Sequence, residues 1–404
     1  MIMTHRFAAR RRSVLLAGAG LATSIAWPGL TRASGEPIKI ALLTSLSGPF
    51  SGLGESMRAG LQLLLTQSNQ EMGGRPIQLL VEDDQGKPDE AVRKVRKLVG
   101  QDKVDIILGV ISAAVALAIR DIVTESKTLT FIANAAANAL AREAASPYIF
   151  RTTKTSWMLA HPAALWVHEN VATRGGITLA SDYAAGREYV ADFEDTYRQQ
   201  GGTLGKQFWT PLGTTDFAPL LMNVAALKPE FIYAFFPGAD AVRFLKQMQD
   251  FRLRDSIRLI GPGALFDQED VIPAVGAAAL GGFNAFHQSP GAPASQAFVA
   301  AYLQARQRLP GEASTAGYAS GQVIRAGIEA VGADLSRKDA FKAALLAAPV
   351  ATAFGPMRFD PRNNQAILDI YLNEVKPGPD GKPFNTVIKT YPGVQDPGPA
   401  NTRL

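Results

Sequence analysis

Apolar runs of five to nine residues alternate along the chain with longer stretches in which apolar positions recur every third or fourth residue. Residues 37–45 (PIKIALLTS) read as a strand, followed by a helix over about 54–69, and residues 77–82 read as a second strand. Pro88 and Asp89 open a helix with Val92, Val95, Leu98 and Val99 on one face, the spacing of a buried stripe. Residues 105–110 and 128–133 are further strands, separated by a helix over about 113–126. The pattern restarts at 176–181 with a strand and a helix in which Tyr189, Phe193 and Tyr197 follow one another at i+4, stopped by Gly201-Gly202. Strands continue at 206–211, 231–236, 258–261 and 282–286, with helices near 216–226 and 239–251. After Pro293 come three helical stretches, about 294–308, 314–332 and 337–347, and from Phe354 short strands with tight turns such as Pro379-Asp380-Gly381.

Strands that alternate with helices build parallel sheets covered on both faces. The repeat of the pattern predicts an α/β chain of two lobes, each a mostly parallel sheet flanked by helices. In such sheets ligands bind beyond the carboxyl ends of the strands, where the connecting loops converge. Two sheets facing each other there would form a cleft.

With 47% hydrophobic and 19% charged residues, the 404-residue chain is a packed protein, not a disordered or collagen-like one. The absence of Cys excludes disulfides, thiol nucleophiles, Cys zinc sites and lipid attachment through an N-terminal Cys. The net charge of +5 suggests a nucleic-acid partner only until it is located. Residues 1–33 hold Arg6, Arg10, Arg11, Arg12 and Arg32 and no acid, which leaves 36 basic and 36 acidic residues in the remainder. No basic block is left to track phosphates, so no nucleic-acid partner is expected.

Those first residues have the three parts of an export signal. Arg10-Arg11-Arg12 precedes an uncharged run over 13–31, and Thr31-Arg32-Ala33 is a small-x-small cleavage site. The run is broken by Gly18, Gly20, Pro28 and Gly29, and its apolar centre is shorter than the ~20 residues a spanning helix needs. Residues 1–33 are therefore expected to be cleaved on export, and Arg11-Arg12-Ser13-Val14-Leu15 resembles the twin-arginine signal.

Gly48-Pro49-Phe50-Ser51-Gly52-Leu53-Gly54 follows the first strand as a phosphate loop would. It lacks the third Gly of a dinucleotide fingerprint and the Lys-Ser/Thr pair of a Walker loop, so no nucleotide cofactor is implied. Its free N–H groups suit a carboxylate at a helix N-terminus. His161 and His168 lie seven apart on a mostly apolar stretch, a spacing of packing and not of metal ligation, and no metal is expected. No G-x-S-x-G or HExxH motif occurs, and no catalysis is implied. Five aromatics, Phe50, Tyr183, Phe236, Phe266 and Phe286, each fall at or just after a strand's end, with Ser112, Asn134 and Asp182 on the same loops. Rings with a few polar groups are what line a small-molecule pocket.

At these residues the chain resembles the periplasmic solute-binding proteins of ABC importers, in the branched-chain amino-acid (Leu/Ile/Val-binding) family with the type I periplasmic-binding fold. The matching pieces are LTSLSGPFSGLGES (43–56), VEDDQGKPDEAV (81–92), YIFRTTKT (148–155), LASDYAAGRE (179–188), TTDFAPLL (214–221), FFPGADAVRFLKQ (235–247) and FGPMRFDPRNN (354–364). Their order over three hundred residues carries the likeness. It implies a periplasmic, non-enzymatic, monomeric carrier that closes two hinged lobes on a small carboxylate and delivers it to an inner-membrane ABC permease. Lobe 1 would comprise 37–152 with about 287–352, and lobe 2 about 153–286 with 353–404. The implied ligand-binding residues are Phe50, Ser112, Ala113, Asn134, Ala135 and Ala136 in lobe 1, and Trp157, Tyr183, Phe236 and Phe266 in lobe 2.

One departure bears on the ligand. Amino-acid binders of this family carry an acid just after a Gly-Pro pair, to hold the substrate ammonium, whereas here Gly261-Pro262 is followed by Gly263, Ala264, Leu265 and Phe266. Asp267 and Asp182 are the nearby acids left to replace it. A buried ammonium without a counter-charge is costly. The expectation is an aromatic or apolar carboxylic acid held in a pocket without an acid. The alternatives are a branched-chain amino acid in the same pocket and a ligand-binding input module of a sensor system.

Overall fold

The computed structural model describes residues 35–398, so the expected export signal at 1–33 lies outside the described residues. The first sheet is built from β1 (Ile38–Thr44), followed by α1 (Ser51–Gln67), β2 (Glu71–Met72), β3 (Arg75–Asp83), α2 (Pro88–Lys97), β4 (Ile106–Gly109), α3 (Ala113–Glu125), β5 (Leu129–Ile132) and β6 (Ile149–Arg151). Its order is β2-β3-β1-β4-β5-β6, parallel throughout except for the β2–β3 hairpin. β1 sits at the centre because it is apolar on both faces, with Ile40 aligned between Leu79 and Ile106.

The chain then crosses to α4 (Ser156–Asn170) and builds the second sheet. Its elements are β7 (Gly176–Ser181), α5 (Ala184–Gln199), β8 (Leu204–Thr210), α6 (Ala218–Leu227), β9 (Phe231–Phe235), α7 (Ala239–Asp250), β10 (Arg258–Pro262), α8 (Ile272–Val275) and β11 (Phe283–Phe286). β7, β9, β10 and β11 run parallel, and β8 closes one edge with Lys206 and Gln207 turned to solvent. A separate aromatic cluster, Phe217, Phe236 and Phe244, forms the core between this sheet and α6 and α7.

A second crossing leads to α9 (Gln296–Arg306), α10 (Glu312–Ala330) and α11 (Lys338–Ala347), then to β12 (Val350–Thr352) and β13 (Gly355–Phe359). α10 packs back on α1, and the two backbones touch. A Cβ on Gly60 would lie 1.9 Å from the Ser314 carbonyl oxygen, and one on Gly317 would lie 2.2 Å from that of Met57. No residue larger than Gly fits at either position. The first sheet's core is therefore completed by a helix from the far end of the chain.

A third crossing enters β14 (Ala366–Pro377) and β15 (Pro383–Val394), antiparallel strands on the edge of the second sheet beside β11. The reading of short strands here is corrected: these two have 12 residues each, joined by a turn in which the Gly378 N–H donates to Lys382 at 2.7 Å. β14 alternates buried and part-exposed positions up to Leu372 and resumes after a register shift at Asn373, whose amide nitrogen donates to Asn284 in the next strand at 3.2 Å, so a polar residue does not end it. The first and third crossings lie side by side. Arg151 donates its backbone N–H to Asn364, and Gln365 donates its side-chain amide to Thr153.

Candidate functional site

The carboxyl ends of the two sheets face one another across a narrow cleft that encloses a cavity of about 40 Å³, so a ring-sized ligand enters only when the two walls part. Five of its sixteen lining residues carry aromatic rings. Phe50, after β1, lies 6.3 Å from Tyr183, after β7; Tyr183 lies 6.1 Å from Phe235 at the end of β9; and Phe235 packs on Tyr189 at 4.4 Å. Phe286, the last residue of β11, completes this apolar wall. Burial pushes the Tyr183 hydroxyl above its ordinary value, so it stays protonated.

Each wall loop is held by local polar contacts. The loop after β1 hangs on the end of β3, where Ser45 donates to Asp84 at 2.5 Å and Leu46 and Ser47 donate to Asp83. The loop after β5 is organised by Arg151, a fully buried guanidinium. Its nitrogens donate to the carbonyls of Ala137, Ala135 and Lys154 at 2.5, 2.8 and 2.9 Å, and burial pushes it down to about 10. That single side chain ties the loop to the first crossing and fixes both relative to the cavity.

Three polar groups line the cavity among the rings. Asn134 presents a side-chain amide nitrogen with no partner among the described residues. Lys154 donates its ammonium to the Asn134 carbonyl at 3.0 Å and to the Glu312 carboxylate. Burial, and next the Arg151 guanidinium, push that ammonium well below its ordinary value, and the Glu312 carboxylate in contact with it supplies the counter-charge. Ala113 opens α3 on the same wall.

On either flank, carboxylates of the second half receive donors of the first. Glu188 accepts the Asn138 N–H at 2.9 Å, and Asp192 accepts the Asn138 side-chain amide at 2.7 Å. On the other side Asp267 accepts the Glu312 N–H at 2.9 Å. Glu269 accepts from Gly311 at 3.0 Å, from the Ser314 hydroxyl at 2.6 Å and from the Tyr302 hydroxyl at 2.7 Å, and pairs with Arg308. Burial pushes Asp192 up to about 7. Burial and the adjacent Glu269 charge push Asp267 up to about 7 as well.

Of the residues singled out in the sequence, Phe50, Ala113, Asn134, Ala136, Tyr183 and Phe286 line this cavity. The others are turned elsewhere. Ser112 spends its hydroxyl as the N-cap of α3, accepting the Val115 N–H at 3.5 Å. Ala135 faces the core, and its carbonyl is taken by Arg151. Trp157 stacks on His161 at 4.3 Å. Phe236 packs on Phe244 at 4.5 Å in the second core, because successive residues of an extended chain point to opposite faces, and its neighbour Phe235 takes the cavity side. Phe266 is buried in the same core, where its ring fills the space above Gly282.

At the first position after Gly261-Pro262 no side chain fits beside the present ring: a Cβ on Gly263 would lie 2.0 Å from Phe286. The expectation of a cavity without any acid is corrected by Glu312. Neither Asp267 nor Asp182 reaches the cavity. Asp267 is spent on backbone N–H groups, and Asp182 pairs with Arg187 at 2.7 Å. Sequence reasoning missed Lys154, Glu312, Tyr189 and Phe235. The one local signal for Lys154 was a Lys in a run of mostly hydroxyl and apolar residues, 149–167, in which Arg151 is the only other Lys, Arg, Asp or Glu.

A family model described as periplasmic binding protein matches residues 37–382. An ABC transporter substrate-binding protein from Sphaerobacter thermophilus is 36% identical, with a TM-score of 0.83 over 89% of this chain and 99% of that one. An ABC-transporter solute-binding protein from R. palustris, solved in complex with benzoate, is 30% identical, with a TM-score of 0.81 over 87% of this chain and 96% of that one. The Leu/Ile/Val-binding protein homolog 6 of Brucella melitensis is 29% identical over 375 residues, 90% of this chain and 94% of its own.

Proposed function

The chain belongs to the periplasmic binding protein family, in its type I branched-chain amino-acid branch of ABC-transporter substrate-binding proteins, and on that premise we propose that it captures a small aromatic carboxylic acid. Proteins of this family are non-enzymatic carriers that work in the periplasm with a membrane permease. No helix among the described residues is long and apolar enough to cross a membrane.

The observation that carries the aromatic reading is the wall of Phe50, Tyr183, Phe235 and Phe286, with the unpaired Asn134 amide and the start of α3 at its polar side. Flat rings of a ligand stack or pack edge-on against such a wall, and amide N–H groups at a helix N-terminus receive a carboxylate. The benzoate held by the R. palustris relative is consistent with this chemistry. Capture proceeds by hinge closure at the three crossings. The lobes that close are 37–152 with about 287–359, and about 153–286 with about 366–398; the last boundary lies after β13 and not near 352, since Phe359 packs on Phe150 of the first sheet at 5.2 Å. Phe50, Ala113, Asn134, Ala136 and Tyr183 contact the ligand, with Phe235 in place of Phe236.

A second reading, a branched-chain amino acid, is favoured by one feature, the Glu312 carboxylate in the cavity wall, and by the name of the Brucella relative. Thermal unfolding of the purified protein with benzoate- and coumarate-like acids in one panel and leucine, isoleucine and valine in another separates the two. A ligand at 100 times its dissociation constant adds about 2.7 kcal/mol to the folded state. A shift with the aromatic acids alone supports the first reading, and a shift with leucine alone overturns it.

A further inference from the structure

Lys154 and Glu312 lie 158 positions apart in the sequence. Lys154 lies on the first crossing between the halves, and Glu312 opens α10. Both side chains are almost completely buried, with 4% and 6% exposure, and both line the cavity. A buried ion pair of this kind is poor evidence of stabilisation, since well-packed apolar residues serve stability as well or better. Its position in a ligand cavity points to another use.

An ammonium has three N–H donors. The Asn134 carbonyl and the Glu312 carboxylate take two of them, which leaves one for the cavity. The unpaired Asn134 amide nitrogen belongs to the residue whose carbonyl holds the lysine, so two donors sit together at this end. Glu312 is the only carboxylate among the lining residues. It is anchored twice, by Lys154 at its side chain and by Asp267 at its backbone N–H.

We propose that Lys154 is the cation that receives the ligand carboxylate, and that its pairing with Glu312 denies that acid to an α-ammonium, so the pair sorts simple carboxylic acids from amino acids. The proposal rests on reading this cavity as the ligand site. A carboxylate entering beside Lys154 finds a desolvated cation and the Asn134 amide. An α-ammonium entering there meets a like charge already bonded to the only acid, and such a juxtaposition is a strong source of discrimination.

The test is calorimetric titration of benzoate and of leucine into the wild type, Lys154→Met, Glu312→Gln and the double variant, each first checked for folding by thermal unfolding. Lys154→Met should weaken benzoate about 100-fold and acquire leucine binding through the freed carboxylate. Glu312→Gln should bind benzoate more tightly, because one competing anion is gone, and should not bind leucine. The double variant has no unpaired buried charge and nearly the same side-chain volumes, so it reports on Lys154 even if Lys154→Met does not fold. It should lose benzoate as Lys154→Met does. A folded double variant that binds benzoate within about threefold of wild type overturns the role of Lys154. Loss of benzoate by Glu312→Gln equal to that of the double variant overturns the sorting role. A wild type that prefers leucine overturns the aromatic reading itself, and the variants are not needed to see it.

Discussion

Asp267, in the loop after β10, accepts the backbone N–H of Glu312 at 2.9 Å, so the first turn of a helix in one half of the molecule is capped by a carboxylate from the other half. A carboxylate at a helix N-terminus satisfies an orphan donor and complements the positive end of the helix dipole. Replacing Asp267 by Ala should cost about 1–2 kcal/mol of stability in chemical denaturation, the usual effect of a lost cap. It should also weaken ligand binding, since the same turn carries Glu312. Asp267→Asn retains an acceptor and should cost less on both measures.

The flank built on α5 gives a pH dependence with a defined sign. Asp192 is pushed from 3.8 up to about 7 by burial, so the folded chain holds its proton more tightly than an unfolded one. Stability from this group is fully present below its unfolded value and is lost as pH rises through about 7, at up to about 1.4 kcal/mol per pH unit. Asp192→Asn keeps an acceptor for the Asn138 amide and no longer titrates. Unfolding midpoints followed between about pH 5 and pH 8 should fall less steeply in that variant than in wild type. Equal slopes would remove Asp192 as the source.

Phe235 and Phe236 are neighbours with opposite tasks. Phe236→Ala empties a site between Phe217 and Phe244 and should destabilise the chain by about 3–5 kcal/mol. Phe235→Ala removes a ring from the cavity wall beside Tyr189 and should weaken aromatic-acid binding about tenfold or more, the worth of an aromatic contact with its buried area. Denaturation and titration on both variants separate the effects. Equal binding losses would mean that Phe235 does not face the ligand.

Gly263 keeps room for Phe286. A methyl placed there falls 2.0 Å from the ring, so the ring, which lines the cavity, must shift to admit it. Gly263→Ala should therefore weaken ligand binding, and the Gly263→Ala, Phe286→Leu pair should regain part of the loss. Titration of both variants with the same aromatic acid reads the difference.

The alternation of the chain carried most of this architecture on its face. A run such as IKIALLT, apolar on both sides, can only be an inner strand of a covered sheet, and the loops after such strands were the right places to look for the site. What stayed hidden depends on pairing at a distance. Nothing near Lys154 announces a carboxylate 158 positions later, and nothing near Gly263 announces the ring that excludes a side chain from it. At the end of β9 the alternation itself was legible. Which of two adjacent Phe side chains turned to the cavity was set by α6 and α7 packing on the opposite face. β6 has three residues and was too short to register as a strand, although Arg151 within it organises one wall of the cavity.

The glycine contact between α1 and α10 has a consequence for how the chain reaches its native state. Residues near Met57 and Gly60 wait for partners near Ser314 and Gly317, and the strands β7 to β11 of the second sheet are encoded between them. Loops of that length close slowly, and until they close the apolar face of α1 has nothing to cover it. The order of synthesis therefore does not match the order of completion: the half that leaves the ribosome first is among the last to become whole. A chain interrupted anywhere before α10 presents an unfinished first core, a surface for chaperones to hold.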